Sequence, residues 1–110
     1  MIRAMVLGGA IAAALASAAE AACRQALVLG LDVSGSVDRI EYRMQVEGLA
    51  RSLDTPDVRD ILLSTPEFPV RIAVFEWSGP LNQHLILPFT EISDAATLDR
   101  VVLAIAGAER

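Results

Sequence analysis

Asp32, Ser34 and Ser36 stand two residues apart, with Gly35 between the serines. One carboxylate and two hydroxyls within five residues are hard oxygen donors, the ligand type that a magnesium ion prefers. Two neutral hydroxyls quench little of a double positive charge, so an ion held there keeps its attraction for an incoming carboxylate. That chemistry points to binding rather than to hydrolysis. The same side chains have a plainer use, because Ser and Asp accept hydrogen bonds from the free N–H groups at helix starts. The preceding segment favours the metal reading. Ala26 to Leu31 carry no charge and no alternation, the pattern of a strand buried on both faces within a helix-covered parallel sheet. In open α/β sheets the ligand crevice lies beyond the carboxyl ends of the strands, where these oxygens fall, and Gly35 is expected to let the backbone turn tightly there.

The elements that must position this loop are legible downstream. Asp38 and Glu41 stand in capping-box relation and open a helix to Leu53, with Tyr42, Val46, Leu49 and Leu53 on the face that packs on the sheet. Glu47 and Arg51 are spaced for an i,i+4 pair on its solvent side. Asp54-Thr55-Pro56 ends that helix, Pro56 starts a short helical segment through Leu63, and Ser64 to Pro69 form a linker. Val70 to Ser78 and Gln83 to Phe89 are expected to pair as an antiparallel hairpin, with Pro88 placing the second strand at a sheet edge. Asp94 is a good N-cap for a last helix carrying Leu98, Val101, Val102 and Ile105, with Gly107 near its end.

Asp32-Val33-Ser34-Gly35-Ser36 resembles the D-x-S-x-S motif of the von Willebrand factor type A (vWA) domain. Together with V-D-R-I-E-Y and the later E-W-S-G, it looks like an exported bacterial vWA-like family of unknown function. The resemblance spans about residues 25–110 and implies an α/β fold, the N-terminal half of a Rossmann-like vWA domain. It also implies a divalent cation, Mg2+ or Mn2+, held by Asp32, Ser34 and Ser36, and a protein partner that offers a carboxylate. Such sites normally add a threonine and a further aspartate from two later loops. Thr90, Thr97, Asp94 and Asp99 do not look like those loops. The expected function is therefore metal-dependent adhesion, not catalysis, from residues 22–110.

Composition bounds the rest. The chain has 110 residues, a net charge of −5 and nine basic residues, all of them Arg. Without a basic cluster nothing neutralises phosphates, which argues against nucleic acid. Met1 to Arg3 give a short positive region, Ala4 to Leu15 an apolar stretch, and Ala16-Ser17-Ala18 or Ala19-Glu20-Ala21 a small-residue cleavage site. Residues 1–21 read as a signal peptide, placing the mature protein in the periplasm or medium. The apolar run is shorter than the ~20 residues of a stable membrane anchor. Cys23 is the only cysteine, so an internal disulfide is excluded. With Glu20 three residues before it, it makes a poor lipoprotein site.

Other residues admit two readings. His84 is a candidate base without a local partner. Glu76 reads as a residue on a solvated edge more readily than as a paired carboxylate at the sheet end, while Trp77 and Phe89 read as packing residues, Trp77 close enough to the strand end to border a partner surface. The competing class is an envelope hydrolase, metal-assisted or dependent on Asp32 or Ser34. Val33 breaks the D-[ST]-G pattern of subtilisin-like and aspartic proteases, and Ser34 is not in a G-x-S-x-G elbow. One further expectation concerns the first strand. The hairpin pairs with one of its sides, and its other side is left as an unpaired edge open to self-association.

Overall fold

The uncharged run becomes β1 (Gln25–Asp32), the first strand of a computed structural model that describes residues 22–109. Asp38 then closes a capping box: its carboxylate accepts the Glu41 N–H at 2.8 Å, and the Glu41 carboxylate accepts the Asp38 N–H at 2.9 Å. Two N–H groups that a helix start leaves free are thereby satisfied. The helix that follows is α1 (Arg39–Leu53), and Pro56 opens α2 (Pro56–Leu63). After the linker come β2 (Val70–Trp77) and β3 (Gln83–Ile92). Asp94 accepts the Thr97 N–H at 2.7 Å and starts α3 (Ala95–Ala106).

The three strands form one mixed sheet in the order β1-β2-β3. β1 runs parallel to β2, from Gln25 opposite Val70 to Asp32 opposite Trp77, and β2 pairs antiparallel with β3. Arg24 clasps the start of this seam. Its guanidinium donates to Ser64 Oγ at 2.8 Å, Thr65 Oγ1 at 3.2 Å and the Ile61 carbonyl at 2.8 Å, and its N–H donates to the Pro69 carbonyl at 3.1 Å.

All three helices cover the same face of the sheet. Ile72 and Val74 of β2 meet Ala50 and Leu53 of α1, Leu62 of α2, and Leu98, Val101 and Ile105 of α3, all buried. A smaller cluster of Val33, Tyr42 and Val46 lies at the carboxyl end of β1, with Leu31 and Val37 packed on it. Arg43 of α1 donates to the carbonyls of Ala106 and Ala108 and so ties the end of α3 to α1. A cation on the free carbonyls of a helix C-terminus is favourably placed.

Several expectations need correction. β1 is not buried on both faces: Leu27, Leu29 and Leu31 are half-buried under the helices, whereas Val28 on the other face is 57% exposed. An uninterrupted apolar run does not say which faces will be covered, and among the described residues only one is. Phe89, expected to pack, is likewise 57% exposed on that open face, which it shares with Val28, Phe75 and Leu85 along a groove of about 620 Å³. β3 runs past Phe89 to Ile92. The ladder slips between the pairs Ile72–Thr90 and Val74–Leu87, and an irregularity there accommodates a residue without an N–H. Glu47 pairs with Arg43 at 3.3 Å rather than with Arg51. The leader expected over residues 1–21 lies outside the described residues, and within them no helix is long and apolar enough to cross a membrane.

Candidate functional site

The loop from Asp32 to Asp38 is held from below and from both ends. Val33 is buried against Tyr42 and Val46, and its N–H donates to the Trp77 carbonyl at 2.9 Å, extending the β1–β2 seam one residue past the strand. Gln45 of α1 donates to the Asp32 carbonyl at 3.0 Å. The Val37 N–H donates to the Ser34 carbonyl at 2.8 Å and closes a turn over Gly35 and Ser36. That turn does not use a left-handed glycine. The one positive φ among the described glycines is at Gly79, and a Cβ on Gly35 would meet nothing within 4 Å. The turn expected at Gly35 is present, but glycine is not what permits it, because the turn keeps φ values open to any residue.

Asp32 and Ser34 are in direct contact, with Asp32 Oδ1 accepting the Ser34 N–H at 2.9 Å. That backbone hydrogen bond, and secondarily the Ser34 hydroxyl, hold the Asp32 carboxyl below the ordinary carboxylate range, since a hydrogen bond to the charged form favours it. Ser34 is half-buried. Ser36 is exposed, on the α1 side of the turn, where it lines a shallow cleft with Glu41 and Gln45. The loop thus presents an ionised carboxylate and two hydroxyls at the carboxyl end of β1. These hard oxygen donors suit Mg2+ or Mn2+ in kind, and in number they supply at most half of an octahedral shell. Among the described residues no group of three or more His, Cys, Asp or Glu side chains is gathered as a metal site, so the fit rests on the hydroxyls.

A second polar feature lies behind the loop. Glu76, read as a residue of a solvated edge, is 8% exposed, and its Oε2 accepts the Tyr42 hydroxyl at 2.7 Å. The signal for this was available. Ile72, Val74 and Glu76 recur at the two-residue period of one strand face, and Tyr42 leads the apolar stripe of α1. His84 of β3 is exposed and lies opposite Glu76 in the ladder. Among the described residues no hydrogen bond joins His84 to Ser34 or Ser36. Trp77, facing away from the helices, is 38% exposed. Cys23 is exposed and free. Thr90 bonds the Pro88 carbonyl, Asp94 caps α3 and Asp99 pairs with Arg59, so none of them joins the loop.

Residues 22–110 match the family described as protein of unknown function (DUF1194). The chain belongs to that family. No curated protein and no solved structure matches it. The DUF1194 match begins two residues before Arg24, and so takes in the clasp, the loop and the whole of the described sheet.

Proposed function

We propose that this DUF1194 chain is an exported, metal-ion-dependent protein-binding domain, the first half of a vWA-type fold, and not an enzyme. The observation that carries the reading is the loop after β1. There Asp32 is kept ionised by the Ser34 N–H at 2.9 Å, beside two hydroxyls at the sheet end where α/β folds bind ligands. Asp32, Ser34 and Ser36 would hold one Mg2+ or Mn2+, Asp32 directly or through a water. The ion, when bound, supplies a Lewis-acidic position for a carboxylate of the partner protein. The chain's own part is to hold the oxygens in place. Val33 buries the loop's root, Gln45 fixes the end of β1, and the Val37 N–H sets the turn that carries Ser36.

Magnesium binding measured by calorimetry tests this. Asp32→Ala with Ser34→Ala should abolish the binding heat, and equal affinity in the two proteins would defeat the reading. Export adds a chemical test, since protein recovered from the periplasm or medium should begin at Ala19 or Ala22 by mass spectrometry, and an intact Met1 would refute cleavage. The outer edge of β1, unpaired among the described residues, is the route for self-association. Sedimentation should find oligomers, and a monodisperse monomer with a sharp thermal transition would remove that partner.

A further inference from the structure

Glu76 is a buried carboxylate that no guanidinium of the described residues neutralises. Burial of such a group without a countercharge is costly, and one phenolic hydrogen bond occupies only a part of its acceptor capacity. Oε2 takes the Tyr42 hydroxyl. No buried side-chain oxygen or nitrogen among the described residues lacks a partner, so the second oxygen of Glu76 is reached from outside. Glu76 lines a cavity of about 310 Å³ together with Val33, Ser78, Leu81, Asn82, Gln83 and His84.

The walls of this cavity are built on a fixed turn. The Ser78 N–H donates to the Asn82 carbonyl at 2.9 Å and the Asn82 N–H to the Gly79 carbonyl at 3.2 Å, with Gly79 at φ 129°, a conformation that favours glycine. Ser78, Asn82 and Gln83 each carry a side-chain oxygen that accepts N–H donors. The set is one carboxylate amid neutral acceptors. It suits a cation that spreads its charge over several N–H groups. The chain's net charge of −5 draws such a ligand in.

We infer that this cavity binds an organic cation bearing N–H donors, a guanidinium or primary ammonium group, with Glu76 as its counter-ion and the Ser78–Gln83 turn as its acceptor wall. The cavity shares Val33 with the root of the metal loop, and the inference uses none of that loop's oxygens.

The test is an amide chemical-shift titration of the full chain with methylguanidinium, in EDTA and at constant ionic strength. Saturable shifts at Glu76, Ser78, Asn82 and His84 are expected. Glu76→Gln should weaken binding by roughly tenfold or more, the loss expected for a charged hydrogen bond. Tetramethylammonium, with the charge but no N–H, should fail to compete. Unchanged affinity in Glu76→Gln, non-saturable shifts, or equal binding of tetramethylammonium would each overturn the site. If Glu76→Gln does not fold, Asn82→Ala on the exposed turn decides, with severalfold weaker binding supporting the site and unchanged binding refuting it. A blocked Gly-Arg-Gly peptide binding more tightly than methylguanidinium assigns the cation to a protein side chain. The reverse order assigns it to a free small amine.

Discussion

Tyr42→Phe isolates one oxygen atom in the second core cluster. Tyr42 is 2% exposed and Glu76 8%, and the bond between them is 2.7 Å long. A hydrogen bond onto a carboxylate contributes about 1.5–3 kcal/mol, and here its loss leaves an acceptor that water reaches from only one side. For a chain of this size the slope in urea is at the low end, about 1 kcal/mol per molar, so the midpoint should fall by about 1.5 M or more with the slope unchanged. The same loss lowers Tm by about 6 °C at the least. Glu76→Gln keeps an acceptor for the hydroxyl and should cost less, about 0.5–1.5 kcal/mol. Urea unfolding followed by circular dichroism measures both. A Tyr42→Phe midpoint within about 0.5 M of the parent, or a Glu76→Gln loss larger than that of Tyr42→Phe, would refute the account of this pair.

Gly35→Ala should be neutral or stabilising by about 0.4–1 kcal/mol, because the position is open, its φ is ordinary, and alanine restricts the unfolded chain; a large loss of stability by thermal melting would show that the turn needs glycine after all. At Asp94 the Thr97 N–H, and secondarily the Thr97 hydroxyl, lower the carboxyl pKa in the folded state. A group depressed on folding stabilises above its unfolded value, and that contribution is lost as the pH falls through the folded value. Asn supplies a neutral cap at the same place, so the extra stability of the parent over Asp94→Asn, which comes from the carboxylate's charge, should be present at neutral pH and vanish on acidification below the ordinary carboxylate range. Melting curves across that interval check it, and a difference independent of pH would contradict it.

Much of the frame was legible because local chemistry decides it. The Asp38–Glu41 box, Pro56 at a helix start and the Asp94 cap each satisfy backbone groups within a few residues, so their effect is visible in a short window. The strand faces were not. Ala26–Leu31 contains no alternation from which to choose a face, and burial there depends on where three distant helices settle. Glu76 was misread for the complementary reason, since its partner Tyr42 stands on another element and only the parity with Ile72 and Val74 hints at the inward direction. Phe89 was read as the end of β3, while the slipped ladder through which the strand continues to Ile92 is shared with β2 and is not visible in one segment. At the loop, Asp32, Ser34 and Ser36 were legible as a set. The part played by Val33 in anchoring them was not, for a valine in a motif carries no sign of what it packs against.

The Arg24 clasp has a kinetic consequence. β2 and β3 are joined by a short turn and can pair within microseconds, whereas the β1–β2 seam closes only after α1 and α2 have been spanned, a contact that adds loop-closure cost before it returns any burial. The order of assembly that follows has the hairpin and its helix early and β1 last, with the Arg24 guanidinium reaching Ser64, Thr65 and the Ile61 carbonyl as the closing contact. Contacts made after the transition state govern the lifetime of the native form and not the speed of reaching it. Arg24→Ala should therefore raise the unfolding limb of a stopped-flow chevron and leave the folding limb in place, while a slowed folding limb would put the clasp in the nucleus. A side chain at the very start of the described fold would then act as a timer on how long β1 stays seated, and with it the loop that carries Asp32.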